Sequence, residues 1–203
     1  MLRVLTLAAF LSILPISLDG QARLPSPRGE AHTQVGGAYN ENGQYQGGWW
    51  LVVDYGRPIL RGRENMFGSG DTYGDRFPGS PVWRLGANQS TRFYVGTNLM
   101  FGDQLLPTGE YSVFADLAED EWTLIFSTWG IKQTTPEVNP NALWGSFGYT
   151  DERDVLRTTM SVETIARAAD QLIITFTNMT QQGGDFTIWW DDQMATVPFR
   201  VAR

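Results

Sequence analysis

The chain has 203 residues, of which 42% are hydrophobic and 13% aromatic, enough apolar material for one domain with its own core. A net charge of −7, with Lys132 as the only lysine, opposes sequence-independent binding to nucleic acid or anionic lipid, because both need surplus cations to displace counterions. The absence of cysteine excludes disulfides, thiolate chemistry and Cys-ligated metals.

In chain order, Arg3 and the apolar run from Leu5 to Ile16 have the form of a signal peptide, too short to span a bilayer. Gly20 and Ala22 are the small residues of a cleavage site after Ala22, so residues 1–22 are expected to be removed and to leave no integral membrane segment. This predicts a periplasmic or secreted bacterial protein. Residues 23–48 are rich in Gly, Pro, Gln and Asn and read as a loose N-terminal segment, with a weak strand at Ala31 to Val35.

Residues 49–203 read as a single β domain. Trp49 to Tyr55 and Thr91 to Thr97 are strands, the second with Thr91, Phe93 and Val95 on one side and Arg92 and Tyr94 on the other. A turn is expected at Leu105, Pro107 and Gly109, followed by a hairpin of Tyr111 to Asp116 with Glu121 to Thr128. Trp129 to Leu143 lacks periodicity, and a connection of that length is either a functional loop or an ornamental insertion. Asp154 to Val162 is a strand, then one helical turn over Thr164 to Ala169, then strands at Gln171 to Thr177, Asp185 to Trp190 and Ala195 to Val201. Pro198 belongs at an edge or where its missing N–H faces no partner. The expected fold is an all-β antiparallel sandwich, Ig-like or jelly-roll-like, with about eight or nine strands and at most one short helix.

Several strings carry a family likeness: Asp54-Tyr55-Gly56-Arg57-Pro58 into Arg61-Gly62-Arg63-Glu64, then Val82-Trp83-Arg84-Leu85-Gly86-Ala87-Asn88, then Leu106 to Phe114. With Glu121 to Phe126 and Trp144 to Arg157, they resemble the bacterial domain-of-unknown-function family numbered 2911, in order, over about Pro27 to Val201. The resemblance implies an exported β-rich domain and brings no catalytic residue with it. The chain departs from the common wording at Leu85 and Gln89, where similar proteins frequently carry Thr and Glu.

Arg57, Arg61, Arg63, Arg84 and Asn88 are the densest polar cluster. If they converge, their guanidinium forks and amide suit a carboxylate, phosphate or sulfate; the alternative is internal pairing with Asp54, Glu64 and Asp75. The doubled tryptophans, Trp49-Trp50 and Trp189-Trp190, must send one ring to each side of a strand, which makes a sugar-stacking platform a second candidate. His32 is the sole histidine, so no histidine metal site or Ser-His-Asp triad is expected, and no metal or cofactor is. Carboxylate catalysis would draw on Glu64, Glu110, Asp116 and Glu121.

The leading expectation is a non-catalytic exported domain binding a small anionic or sugar-like ligand through Arg61, Arg63, Arg84, Asn88 and Trp83. The alternatives are a protein-interaction domain of the cell envelope and a carboxylate-dependent hydrolase. No nucleic-acid partner is expected.

Overall fold

Alternation sets the architecture. In β5 (Thr91–Val95) the odd residues are buried and Arg92 and Tyr94 are exposed, so this strand has one core face and one outer face. The computed structural model describes residues 26–77 and 81–202. The expected signal peptide and the expected cleavage point after Ala22 lie outside these residues.

The strands are β1 (Arg28–Val35), β2 (Ala38–Tyr39), β3 (Tyr45–Gln46), β4 (Trp49–Gly56), β5, β6 (Leu99–Phe101), β7 (Gln104–Leu106), β8 (Gly109–Leu117), β9 (Glu121–Ser127), β10 (Gly130–Ile131), β11 (Ala142–Leu143), β12 (Asp154–Thr177) and β13 (Gly183–Val201). Nine of them form one antiparallel sheet in the order β1-β4-β5-β8-β9-β12-β13-β6-β7. The fold is an all-β sandwich of open-sheet type.

The sheet folds over because β12 is 24 residues long. Its first part pairs with β9 and its second with β13, so one strand serves both layers. Aromatic side chains fill the space between them: Phe93 of β5 lies 5.6 Å from Phe186 of β13, and Phe101 of β6 lies 5.0 Å from Phe126 of β9. The Tyr55 hydroxyl donates to the Ile174 carbonyl and accepts from the Ile174 N–H, pinning β4 to the second half of β12. Each fully buried Phe or Leu in this core contributes about 1.5–3 kcal/mol.

A second apolar cluster lies on the outer face. Phe114 of β8 and Ile125 of β9 point away from the main core and are covered by Val82, Trp129, Leu143 and Tyr149. The aperiodic stretch after Trp129 is therefore a packed cover, tied by the short parallel pair of β10 with β11.

Four expectations are corrected. Residues 28–35 of the loose N-terminal segment form a full edge strand paired along β4. Only Ala31 and Val35 of β1 join the core, so the apolar signal was faint. Thr164 to Ala169 is not helical but part of β12, with register shifts on either side of Ala169. Modest helix propensity yields there to the pairing of Thr164 with Gln193 and of Ala169 with Asp191, and the surplus residues are taken up as an irregularity in the ladder. Leu105 is in a strand, since β6 and β7 form a hairpin over Gly102 (φ 59°) and Asp103. The fourth concerns the doubled tryptophans: each pair does send one ring to each face, Trp190 into the core and Trp50 onto the outer face, but Trp49, on the inner face opposite Val35, is still 45% exposed.

Pro198 falls between the segment of β13 that pairs with β12 and the segment that pairs with β6, where no ladder bond requires its N–H.

Candidate functional site

Register places a row of polar residues across the outer face: Asp54 stands opposite Arg92, Arg92 opposite Ser112, Ser112 opposite Ser127, and Ser127 opposite Asp154. At β8 and β9 this row lies at the margin of the cover, and its serines hold the covering chain. Ser112 Oγ donates to the Trp129 carbonyl at 2.6 Å, and Ser127 Oγ to the Arg153 carbonyl at 3.0 Å. At β4 and β5 the row is open.

There it floors a cleft of about 480 Å³, rimmed by Gln89 and by Thr128, Trp129, Gly130, Ile131 and Gln133, with Gln89 Nε2 donating to the Gln133 carbonyl at 3.3 Å. Asp54 is only 7% exposed and lies between two half-exposed guanidinium groups. Arg28 grips it with two nitrogens, Nε donating to Oδ1 at 2.9 Å, while its Nη1 donates to Gln89 Oε1 at 3.0 Å. Arg92 Nη2 reaches Asp54 Oδ2 at 3.4 Å, and its Nη1 lies 3.7 Å from Glu110 Oε1. Two cations and two carboxylates balance, with amide groups of Gln89 and Gln133 beside them.

Gln89 reaches the cleft because of the loop before it. Leu85 and Asn88 have positive φ and Gly86 sits at φ 156°, folding the chain tightly against the end of β4. Gly56 permits this approach, since a Cβ there would collide with the Ala87 carbonyl. Ala87 N–H donates to the Gly56 carbonyl, and Asn88 Nδ2 donates to the Ser26 carbonyl at 3.0 Å, fixing the chain as it enters β1.

The five residues expected to line one site do not meet in one cleft: Arg84 contacts Asn88 and Arg61 lies with Arg63, but neither pair joins the other or Trp83 in a shared opening. Trp83 is 3% exposed and its ring is in the main core, stacked on Trp190 at 6.3 Å, so it offers no face to a ligand. Arg84 is buried beneath the cover; Nη1 donates to the Asn88 carbonyl at 2.7 Å and the guanidinium lies 5.1 Å from the Phe147 ring centre. Burial lowers its pKa from the ordinary arginine value. Asn88 is engaged with Ser26 as described. Arg61 and Arg63 line a separate shallow surface with Pro58 and Ala87, and Arg63 donates back to the carbonyls of Ile59 and Leu60. Asp54 does pair internally, but with Arg28 and Arg92. Neither arginine was singled out from sequence, although the alternation of β5 already aimed Arg92 outward.

Behind the cover, the Tyr149 hydroxyl donates to Asp154 Oδ2 at 2.6 Å, and Arg157 Nη1 donates to the same oxygen at 2.9 Å. Burial first, and then the neighbouring Asp154 carboxylate, push the Tyr149 phenol well above its ordinary value. The folded phenol thus keeps its proton where the unfolded one loses it. Stability is full below about pH 10 and falls as the pH rises beyond that. Urea midpoints measured from pH 8 to 11 are expected to drop at the alkaline end, and Tyr149→Phe should make the drop shallower.

Residues 39–199 match the family described as "Protein of unknown function (DUF2911)". The chain belongs to this family. The matched span includes Asp54, Gln89, Arg92 and the Trp129 wall, while Arg28 precedes it. No curated protein matches the chain, and no solved structure does. Among the described residues no group of three or more His, Asp or Glu is placed to hold a metal ion, and no helix is long and apolar enough to cross a membrane.

Proposed function

We propose that this DUF2911 chain is an exported, non-catalytic binding domain whose cleft takes a small, uncharged, polyhydroxylated ligand of the sugar type. The export half rests on Arg3, the apolar run to Ile16 and the small residues before position 23. The binding half rests on one observation: the half-exposed Arg28 and Arg92 and the exposed Glu110 present planar donors and an acceptor side by side, with their charges balanced by the nearly buried Asp54 beneath them.

A vicinal diol needs that pattern, one hydroxyl donating to a carboxylate while its neighbour accepts from a guanidinium. An anion fits less well. It must compete with Asp54 for the inward nitrogens of both arginines and approach the exposed Glu110 carboxylate.

Thermal-shift screening of neutral saccharides against citrate, phosphate and sulfate tests this. A fitting ligand at a hundred times its Kd adds about 2.7 kcal/mol, or roughly 5–10 °C for a domain of this size. Arg92→Ala should abolish the shift with little loss of intrinsic stability, since that side chain is 46% exposed. Salt-sensitive stabilisation by the anions alone would overturn the sugar reading.

A further inference from the structure

The cleft opens onto a stretch of the same sheet face that carries aromatic rings. One rung beyond Asp54 and Arg92 on that face, His32, Val52 and Tyr94 align across β1, β4 and β5. The next rung has Gln34 opposite Trp50. Trp50 is 51% exposed and Tyr94 45%, in contrast to Phe114 and Ile125 on the same face, which the cover buries completely.

Trp50 and Tyr94 are diagonal neighbours on adjacent antiparallel strands, a spacing of roughly 7–8 Å that long aromatic side chains can bridge. His32 meets the Trp50 ring edge-on at 6.4 Å and limits how it can turn. Tyr94 stands opposite Glu110 of the cleft. Polar cleft and aromatic surface are therefore continuous, and from Asp54 to Trp50 the floor runs about 13 Å along β4, longer than one pyranose ring.

We infer that the ligand is a neutral oligosaccharide, with one unit held in the cleft and the following units stacked over Tyr94 and Trp50. This rests on the sugar reading of the cleft. The C–H faces of pyranose rings are apolar and suit half-exposed aromatic rings, whose polar ends stay wet. A peptide is a poorer occupant. It would add to a sheet edge, whereas these rings lie on a sheet face whose backbone groups are already used in the β1-β4-β5 ladders. Single-stranded nucleic acid also stacks on aromatic rings but needs a cationic groove, and Glu30, Glu110 and Asp54 offset Arg28 and Arg92 here.

Calorimetric titration with cello- and chito-oligosaccharides of one to six units tests the inference. Affinity is expected to rise about tenfold or more between one unit and four, and Trp50→Ala and Tyr94→Ala should each remove about tenfold of the four-unit affinity. Both variants should leave binding of the single unit as it is, and near-UV circular dichroism should show their fold intact. A flat length series, with single-unit binding that Arg92→Ala abolishes, would overturn this inference and leave the cleft reading standing. No binding by any member of either series would overturn both.

Discussion

Trp129→Ala is expected to cost about 3–5 kcal/mol of stability and to lower the unfolding midpoint by about 10 °C, an effect on the scale of deleting an indole from a main core. The ring is 8% exposed and packs with Val82, Phe114, Ile125, Leu143 and Tyr149. Its Nε1 donates to the Thr150 carbonyl at 2.9 Å, so one side chain ties the start of the cover to its end. Removing it opens a cavity under the cover and takes the indole donor from that carbonyl. The Trp129 carbonyl accepts from Ser112 and the residue lines the cleft, so the wall should loosen with the cover. Thermal denaturation gives the first effect, and faster amide exchange over residues 130–149 the second. Arg153 lies over the same ring at 4.3 Å, yet Arg153→Ala should cost only about 0.5–1 kcal/mol, because a cation over a ring near the surface contributes little more. Equal effects of the two substitutions would mean that the indole is not what secures the cover.

Much of the fold was legible because side chains in strands alternate. Thr91, Phe93 and Val95 declared the core face of β5, and Trp122, Leu124 and Phe126 that of β9. Where both faces are buried or neither is, the signal fades. Ile125 and Phe114 are apolar on the outer face because a second cluster covers them, which no local pattern reveals. In β1, Arg28, Glu30, His32 and Gln34 look like a solvated loop until β4 is placed beside them.

The site was less legible than the fold. A run such as Arg57, Arg61 and Arg63 draws attention by its density, yet density along the chain is not proximity in space. Arg28, Asp54 and Arg92 are separated by 26 and 38 residues and meet only through the β1-β4-β5 register. The Trp-Arg-x-Gly-Ala-Asn string turned out to hold the chain together: its positive-φ turn, the buried Arg84 and the Asn88 clasp on Ser26 serve to deliver Gln89 to the cleft.

Asp54→Ala should change what the cleft binds as well as how stable the protein is. The carboxylate is the shared anchor of Arg28 and Arg92, and without it two guanidinium groups remain on one face, on either side of β4, offset by Glu110 beside Arg92 and by Glu30 on the strand of Arg28. A fully buried charge left without its partner costs about 3–5 kcal/mol. Here the arginine side chains are 41% and 46% exposed, so water screens them and a loss of about 1–3 kcal/mol is expected. The remaining like-charge repulsion is itself salt-dependent. Raising ionic strength from about 20 to 500 mM shortens the screening length to a few ångströms, so added salt should recover part of the variant's lost stability. Sugar binding should fall sharply as the two guanidinium groups lose the anchor that positions them. The guanidinium donors that Asp54 occupied are then free to take sulfate or phosphate, whose oxygens match the fork of an arginine. Wild-type protein unmoved by 10 mM sulfate beside an Asp54→Ala variant stabilised by it would show that this one carboxylate keeps the cleft neutral. If sulfate stabilises both alike, the anion is bound elsewhere, and the charge balance assigned to Asp54 does not govern what the cleft accepts.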